Sequence, residues 1–227
     1  MNLSIKDQRQ LAALASGGTS NYPIYTKFLN LIKQLNLKGD CLDFGAGIGK
    51  LSQQMYALNY FNSMTAADIM ERPLELDKSI KWINSDLNNS LDMPDNQFDV
   101  IVSSEVIEHL ENPRAIAREW FRLLRPNGTL ILSTPNNESW RSLLALLFQG
   151  HFVAFGDSCY PAHITALLRK DIERIFLEVG FTSVEFTFTD YGGIPKMPQR
   201  SYQEFSFGLL KGLRYSDNLV VIAYKLI

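Results

Sequence analysis

The chain of 227 residues holds only two cysteines, Cys41 and Cys159, which excludes a disulfide framework and leaves no metal-binding cysteine spacing. Cys41 lies in an apolar run and reads as a small core residue. Histidine is nearly as scarce. His109, His151 and His163 are the only three, so proton transfer near neutral pH has few candidates. Neither sign of charge dominates: 22 Lys and Arg against 24 Asp and Glu give a net charge of −2 and no basic field for nucleic acid. No apolar run reaches the ~18 residues of a membrane span, and no apolar leader opens the chain, so a cytoplasmic location is expected. Repeats, low-complexity tracts and interdomain linkers are also lacking. What is present, 46% hydrophobic and 20% charged residues, suits one soluble domain with a sizeable core.

Against that background one stretch stands out. Cys41-Leu42-Asp43-Phe44-Gly45-Ala46-Gly47-Ile48-Gly49-Lys50-Leu51 reads as a buried strand, a glycine-rich turn and the first turn of a helix. Such a turn lets backbone approach a ligand and presents unpaired helix N–H groups to it. It departs from a dinucleotide fingerprint in two ways. Lys50 stands at the sixth position of G-x-G-x-x-G, and Asp43 precedes the first glycine by two residues. A fixed carboxylate there repels a pyrophosphate and attracts a positively charged ligand. By itself the stretch also fits a glycine turn with a capping aspartate. Asp68 ends the next apolar run, Ser63 to Ala67, about 20 residues beyond the turn, where an acid can bind both hydroxyls of a ribose. Alone it reads better as a loop aspartate capping a helix; after Asp43 and the glycines, at that distance, it strengthens the nucleoside reading.

Elsewhere the periodicity alternates helix and strand. Ile5, Leu11 and Leu14 mark a helix ending at Gly17-Gly18, a flexible joint able to close over a ligand. Tyr25, Phe28, Leu29, Ile32 and Leu35 recur at helical spacing, as do Leu51, Met55 and Leu58 after the glycines. Lys81 to Asn84 and Phe98 to Val102 read as strands, the second central and parallel. Ser103-Ser104 leads into Glu105-Val106-Ile107-Glu108-His109-Leu110; a helix here would put Glu105, Glu108 and His109 on one face. Asn112-Pro113 opens a further helix with Ile116, Trp120, Leu123 and Leu124 as its buried stripe. Arg125-Pro126-Asn127-Gly128 stops it, and Thr129 to Ser133 forms a strand before Thr134-Pro135-Asn136.

From residue 40 to residue 135 the order and spacing of these motifs resemble the class I S-adenosylmethionine-dependent methyltransferases. Between Phe98 and Pro135 the likeness is to the type 11 and type 23 branches: a strand, E-V-[IL]-E-H, a helix, R-P-x-G and a strand ending T-P-N. The resemblance implies an α/β, Rossmann-like, doubly wound seven-stranded sheet with one antiparallel strand and an α-helical lid insertion. It implies S-adenosyl-L-methionine as cofactor. Asp43, Gly45, Ala46 and Gly47 would hold its methionine end, Asp68 and Ile69 its ribose, and Asp86 and Leu87 its adenine. Ser104 and Glu105 would border the sulfur. Asp86 also reads as a turn residue accepting local N–H groups. His109 and His163 are implied to face the active-site mouth, one of them as general base; His109 fits a helix-surface partner of Glu105 or Glu108 as well. Glu105, Glu108, His109 and His163 also resemble the metal site of small-RNA 3′-terminal 2′-O-methyltransferases, whose paired histidines this chain lacks. The expected acceptor is a small or amphipathic molecule, such as a quinone precursor or a lipid-linked or sugar intermediate. An RNA 2′-O-methyltransferase and a non-catalytic cofactor-binding module are the rivals.

The expected organisation is a single domain, 1–227, comprising N-terminal helices (1–36), cofactor-binding core (37–135), lid insertion (136–170), and a C-terminal helix and hairpin (171–227). In the lid, Trp140, Leu143, Leu144, Leu146, Leu147 and Phe148 form a helix almost without polar positions. It is expected to line an apolar acceptor pocket, touch a membrane surface, form a homodimer face, or pack on the sheet edge. Ile172, Ile175, Phe176 and Val179 predict a last helix capped by Gly180, its N-cap undefined because Leu168 stands there. Ser183 to Asp190 and Asn218 to Leu226 read as strands, separated by a long loop with a helix over Tyr202 to Leu210.

Overall fold

A computed structural model describes residues 4–226. In chain order the main elements are α1 (Ile5–Ala15), α2 (Tyr22–Gln34), β1 (Gly39–Phe44), α3 (Lys50–Ala57), β2 (Phe61–Asp68), β3 (Lys81–Asn84) and β4 (Phe98–Ser104). There follow α4 (Pro113–Leu123), β5 (Leu124–Pro135), α5 (Trp140–Gln149), α6 (Arg169–Val179), β6 (Ser183–Phe188), β7 (Gly193–Ile194), β8 (Met197–Ser201), α7 (Tyr202–Phe205) and β9 (Asn218–Lys225). The main sheet has seven strands in the order β3-β2-β1-β4-β5-β9-β6. β9 runs antiparallel to both its neighbours, and every other pairing in that sheet is parallel. The expected doubly wound, seven-stranded architecture with one antiparallel strand is therefore what the chain adopts.

Helices cover both faces because central parallel strands are apolar on both sides. On one face Leu42 and Phe44 of β1 meet Trp120 of α4 and Phe176 of α6, with Phe44 and Trp120 edge to face at 5.6 Å. On the other, Cys41 packs with Ile24 and Phe28 of α2 and Met55 of α3. The expected stripe of α2 holds at Tyr25, Phe28 and Ile32; Leu31 joins it, and Leu35, the C-cap residue, is exposed. Asn112 caps α4, accepting from the N–H of Ala115 at 3.0 Å. Asp171 settles the open question at the start of α6 by reaching back to the N–H of Leu168.

Two expected helices fail or shrink, and two that form as expected turn their large apolar side chains outward, each for a tertiary reason. The Glu105–Leu110 stretch is not a helical turn of the predicted kind: Glu105 is left-handed at φ 56°, and only Ile107–His109 forms a 3₁₀ turn. β4 extends to Ser104, where it still pairs with β5, so the chain must turn sharply at its end. In α1, Ile5, Leu11 and Leu14 are all exposed, so that helix is not held by core burial. In α5 the buried residues are Ser142 and Ala145, whereas Leu144, Leu146, Leu147 and Phe148 face outward. The helix over Tyr202–Leu210 shrinks to the four residues of α7, preceded by the unforeseen β7–β8 hairpin.

Candidate active site

The strand order reverses between β1 and β4, and at such a switch point the carboxyl ends of the strands border an open crevice. A cavity of about 380 Å³ lies there. Its lining includes Asp43, Gly45, Ala46, Gly47, Asp68, Ile69, Asp86, Leu87, Ser104, Glu105, His109 and His163, so every residue expected to hold the cofactor and both expected catalytic histidines reach one space, while Glu108 lies buried behind it. His151 does not; its Nδ1 meets the carbonyl of Phe152.

Gly45, Gly47 and Gly49 all have positive φ, as a tight strand-to-helix turn requires. A Cβ on Gly45 would lie 2.2 Å from a methyl of Val106, and one on Gly47 would lie 2.1 Å from the carbonyl oxygen of Gly18. Asp68 ties this turn to β2: its Oδ2 accepts from the N–H of Gly47 at 2.7 Å and its Oδ1 from that of Met70 at 2.9 Å. Burial raises its pKa against the pull of those donors. Asp43 is fully enclosed. Ser52 donates to its Oδ2, while Oδ1 has no partner among the described residues, and burial raises the carboxyl from 3.8 to about 7. A buried oxygen without a donor is costly, and it points to a group that arrives with the ligand.

Asp86 differs. Burial pushes its pKa up, but Asn88 and Arg9 together outweigh that and bring it below the usual value. Arg9 donates to its Oδ2 at 2.6 Å, and the backbone N–H of Asn88 to its Oδ1 at 3.0 Å.

At the other end of the cavity His109 and His163 sit edge to face with ring centroids 4.7 Å apart. Each Nδ1 is engaged by a carbonyl oxygen, that of Ala162 for His109 and that of Ala154 for His163, both at 2.7 Å. Burial depresses both imidazoles. His109, with His163 beside it, falls to about 4, so both rings are neutral at pH 7. Fixing Nδ1 as the donor leaves the Nε2 lone pair as the reactive atom of each ring. Glu108 is fully buried, accepts from Thr134 through Oε2, and leaves Oε1 without a partner. Ligand atoms of Glu108, His109 and His163 lie within 4.8 Å of one another. Glu105 is not in that group; its Oε2 takes a bond from Asn218 at 2.9 Å. Burial raises both glutamates, and their mutual repulsion raises Glu108 further.

Sequence reasoning missed Arg9, Ser20, Tyr25 and Glu111, all near or in the lining. Arg9 stands 77 residues from Asp86 and 102 from Glu111, so no local pattern links them. From the lid only Tyr160, Pro161, His163 and Ile164 line the cavity. None of α5 does, which corrects the expected role of that helix as a pocket wall.

A doubly wound sheet with acids and a glycine turn at its switch point defines a Rossmann-like, nucleoside-binding class of fold. Residues 20–185 match the family described as a methyltransferase domain, type 23, and the chain belongs to that family. Among curated proteins it is similar to a ubiquinone biosynthesis O-methyltransferase of Psychrobacter arcticus, 23% identical over 68% of this chain and 63% of that protein. It is also similar to the mitochondrial protein of that name from Schizosaccharomyces pombe, 32% identical over 48% of this chain and 43% of that one. The chain thus spans less than two thirds of the length of either relative. Among solved structures, the N-methyltransferase NodS of Bradyrhizobium japonicum, in complex with S-adenosyl-L-homocysteine, shares the fold with a TM-score of 0.55. That match is 19% identical and covers 88% of this chain and 85% of that one.

Proposed function

We propose that the chain is an S-adenosyl-L-methionine-dependent methyltransferase that methylates an oxygen of a small or amphipathic acceptor. The observation that carries this is one cavity joining the enclosed Asp43, whose Oδ1 has no partner among the described residues, and the acids Asp68 and Asp86 to two neutral imidazoles. Asp43 suits the ammonium of the methionine end, Asp68 the ribose hydroxyls, and Asp86 with Leu87 the adenine. Ser104 and Glu105 border the sulfonium. When bound, S-adenosyl-L-methionine would supply the methyl group by in-line displacement, the acceptor oxygen gaining the methyl carbon and the bonding pair remaining on sulfur in S-adenosyl-L-homocysteine. Most of the rate comes from holding oxygen and methyl in line at roughly 3 Å. The hydroxyl proton passes to Nε2 of His109 or His163.

The orphaned Oε1 of Glu108 favours a second version of the same reading. Glu108, His109 and His163 offer one carboxylate and two imidazole nitrogens, a donor set that fits a divalent cation of the zinc, manganese or iron kind. Such an ion supplies acidity to a bound hydroxyl. A quinone-type acceptor is supported by the similarity to ubiquinone biosynthesis O-methyltransferases. The outward apolar row of α5 favours an acceptor met at a bilayer surface, with self-association of that face as the competing outcome. No helix among the described residues is long and apolar enough to cross a membrane.

Calorimetric titration with S-adenosyl-L-homocysteine, alone and then with magnesium, manganese or zinc, tests the site. Incubation of cell extract with isotopically labelled methyl donor identifies the acceptor. Binding of the homocysteine product together with a labelled O-methyl product is expected. Absence of that binding, or uptake of NAD instead, overturns the reading, and absence of a metal heat removes only the second version.

A further inference from the structure

The family match begins at residue 20, yet the cavity is closed by residues before it: Ile5, Gln8, Arg9, Ala12, Ala13 and Ser16 of α1 and its end. Something other than core burial must hold α1 there, since its large apolar residues are exposed. Two attachments among the described residues bear on this. One is a fork: Arg9 donates from Nε to Oε1 of Glu111 at 2.9 Å and from Nη2 to Oε2 at 2.7 Å, while Nη1 reaches Asp86 at 2.6 Å. The other lies beyond the joint at Gly17 and Gly18, both at positive φ. There the carbonyl of Gly18 accepts from the N–H of Ile48 at 3.0 Å, and Ser20 exchanges hydrogen bonds with Tyr25 and Ser104.

The second attachment fixes the strap to the glycine turn through backbone and is permanent furniture of the site. The first is a single side chain bridging two acids on different loops, one of which, Asp86, lines the cavity. A planar guanidinium held bidentately by one carboxylate has its remaining N–H groups aimed, which an ammonium on a flexible stem does not reproduce. A carboxylate has about four acceptor sites. Arg9 and Asn88 occupy three on Asp86, which leaves one on Oδ2 for an incoming amino group.

We propose that Arg9 is a positioning residue that latches α1 over the nucleoside end of the cavity, so that the Glu111–Arg9–Asp86 trio governs how fast an adenosyl ligand leaves. The ligand's identity rests on the reading above; the latch itself does not. The ligand passes when the fork opens at the Gly17–Gly18 joint, and closure fixes Asp86 in the orientation that receives the adenine amino group.

Two measurements test this on the full chain. Without ligand, hydrogen exchange of residues 5–15 is compared among wild type, Arg9→Ala, Arg9→Lys and Glu111→Gln. With S-adenosyl-L-homocysteine, dissociation is followed by stopped flow at low and high salt. Arg9→Ala is expected to lose α1 protection at unchanged global stability and to release the ligand at least tenfold faster. Arg9→Lys should rescue that only in part, with Glu111→Gln falling between. Salt should speed release from the wild type and leave Arg9→Ala unaffected, because an ion latch is screened. Unchanged α1 exchange in Arg9→Ala, or release within twofold of wild type, overturns the latch. A wild type that protects α1 through Arg9 but ignores the ligand overturns the cofactor reading and leaves the latch standing.

Discussion

Asp43 concentrates the physics of the site in one side chain. Its Oδ1 has no hydrogen-bond partner among the described residues, and burial holds the carboxyl near 7, far above its ordinary 3.8. The raised value means the folded chain binds a proton that the unfolded chain has lost. Asp43 therefore favours the fold fully below its unfolded value, and that contribution is lost as pH rises through about 7. Binding a cation reverses the preference. Affinity for S-adenosyl-L-homocysteine should rise with pH and level off above about 7, falling by up to about tenfold per unit below it as one proton is released. Calorimetry in buffers of different ionisation enthalpy reads that proton directly. Asp43→Asn should bind weakly with no pH slope in this range, and a slope that survives the substitution would assign the proton elsewhere. The residue type and its place two before the glycine were visible in the sequence. Its enclosure was not, because burial is made by β2, β4 and α3 closing around β1.

At the scale of elements, local signals were strongest where the chain answers to its own neighbours. Asn112 and Pro113 start α4, Gly180 ends α6 at φ 120°, and the three glycines turn β1 into α3. Asn112→Ala removes one donor's partner at a helix end and should cost about 1 kcal/mol, read as a lower denaturation midpoint with unchanged slope. Local signals failed where a distant partner decides. Glu105, Glu108 and His109 have the spacing of one helical face, but β4 pairs with β5 as far as Ser133, and Glu105 is drawn to Asn218. α5 is apolar by sequence and inverted by structure, since only its small residues fit against the lid turns. The same failure hid Arg9, whose two acids are far along the chain.

For the whole molecule, linkage supplies a measurement that needs no acceptor. Saturation with S-adenosyl-L-homocysteine at 100 times its dissociation constant adds about 2.7 kcal/mol. A domain of this length shifts by roughly 2–4 °C per kcal/mol, so its thermal midpoint should rise by roughly 5–10 °C. NAD at the same concentration should leave the midpoint unmoved, as Asp43 repels a pyrophosphate.

The linear order of residues determined the alternation of strands and helices, the glycine bend and the three acids at strand ends. These follow from period, turn chemistry and backbone sterics acting over a few positions. Which faces are dry, which carboxylates lack donors, how two histidines 54 positions apart come to share one edge of a cavity, and what roofs it were decided only in three dimensions. Burial, and with it the energy of a charge or an unmade hydrogen bond, belongs to the packed whole and to no single stretch.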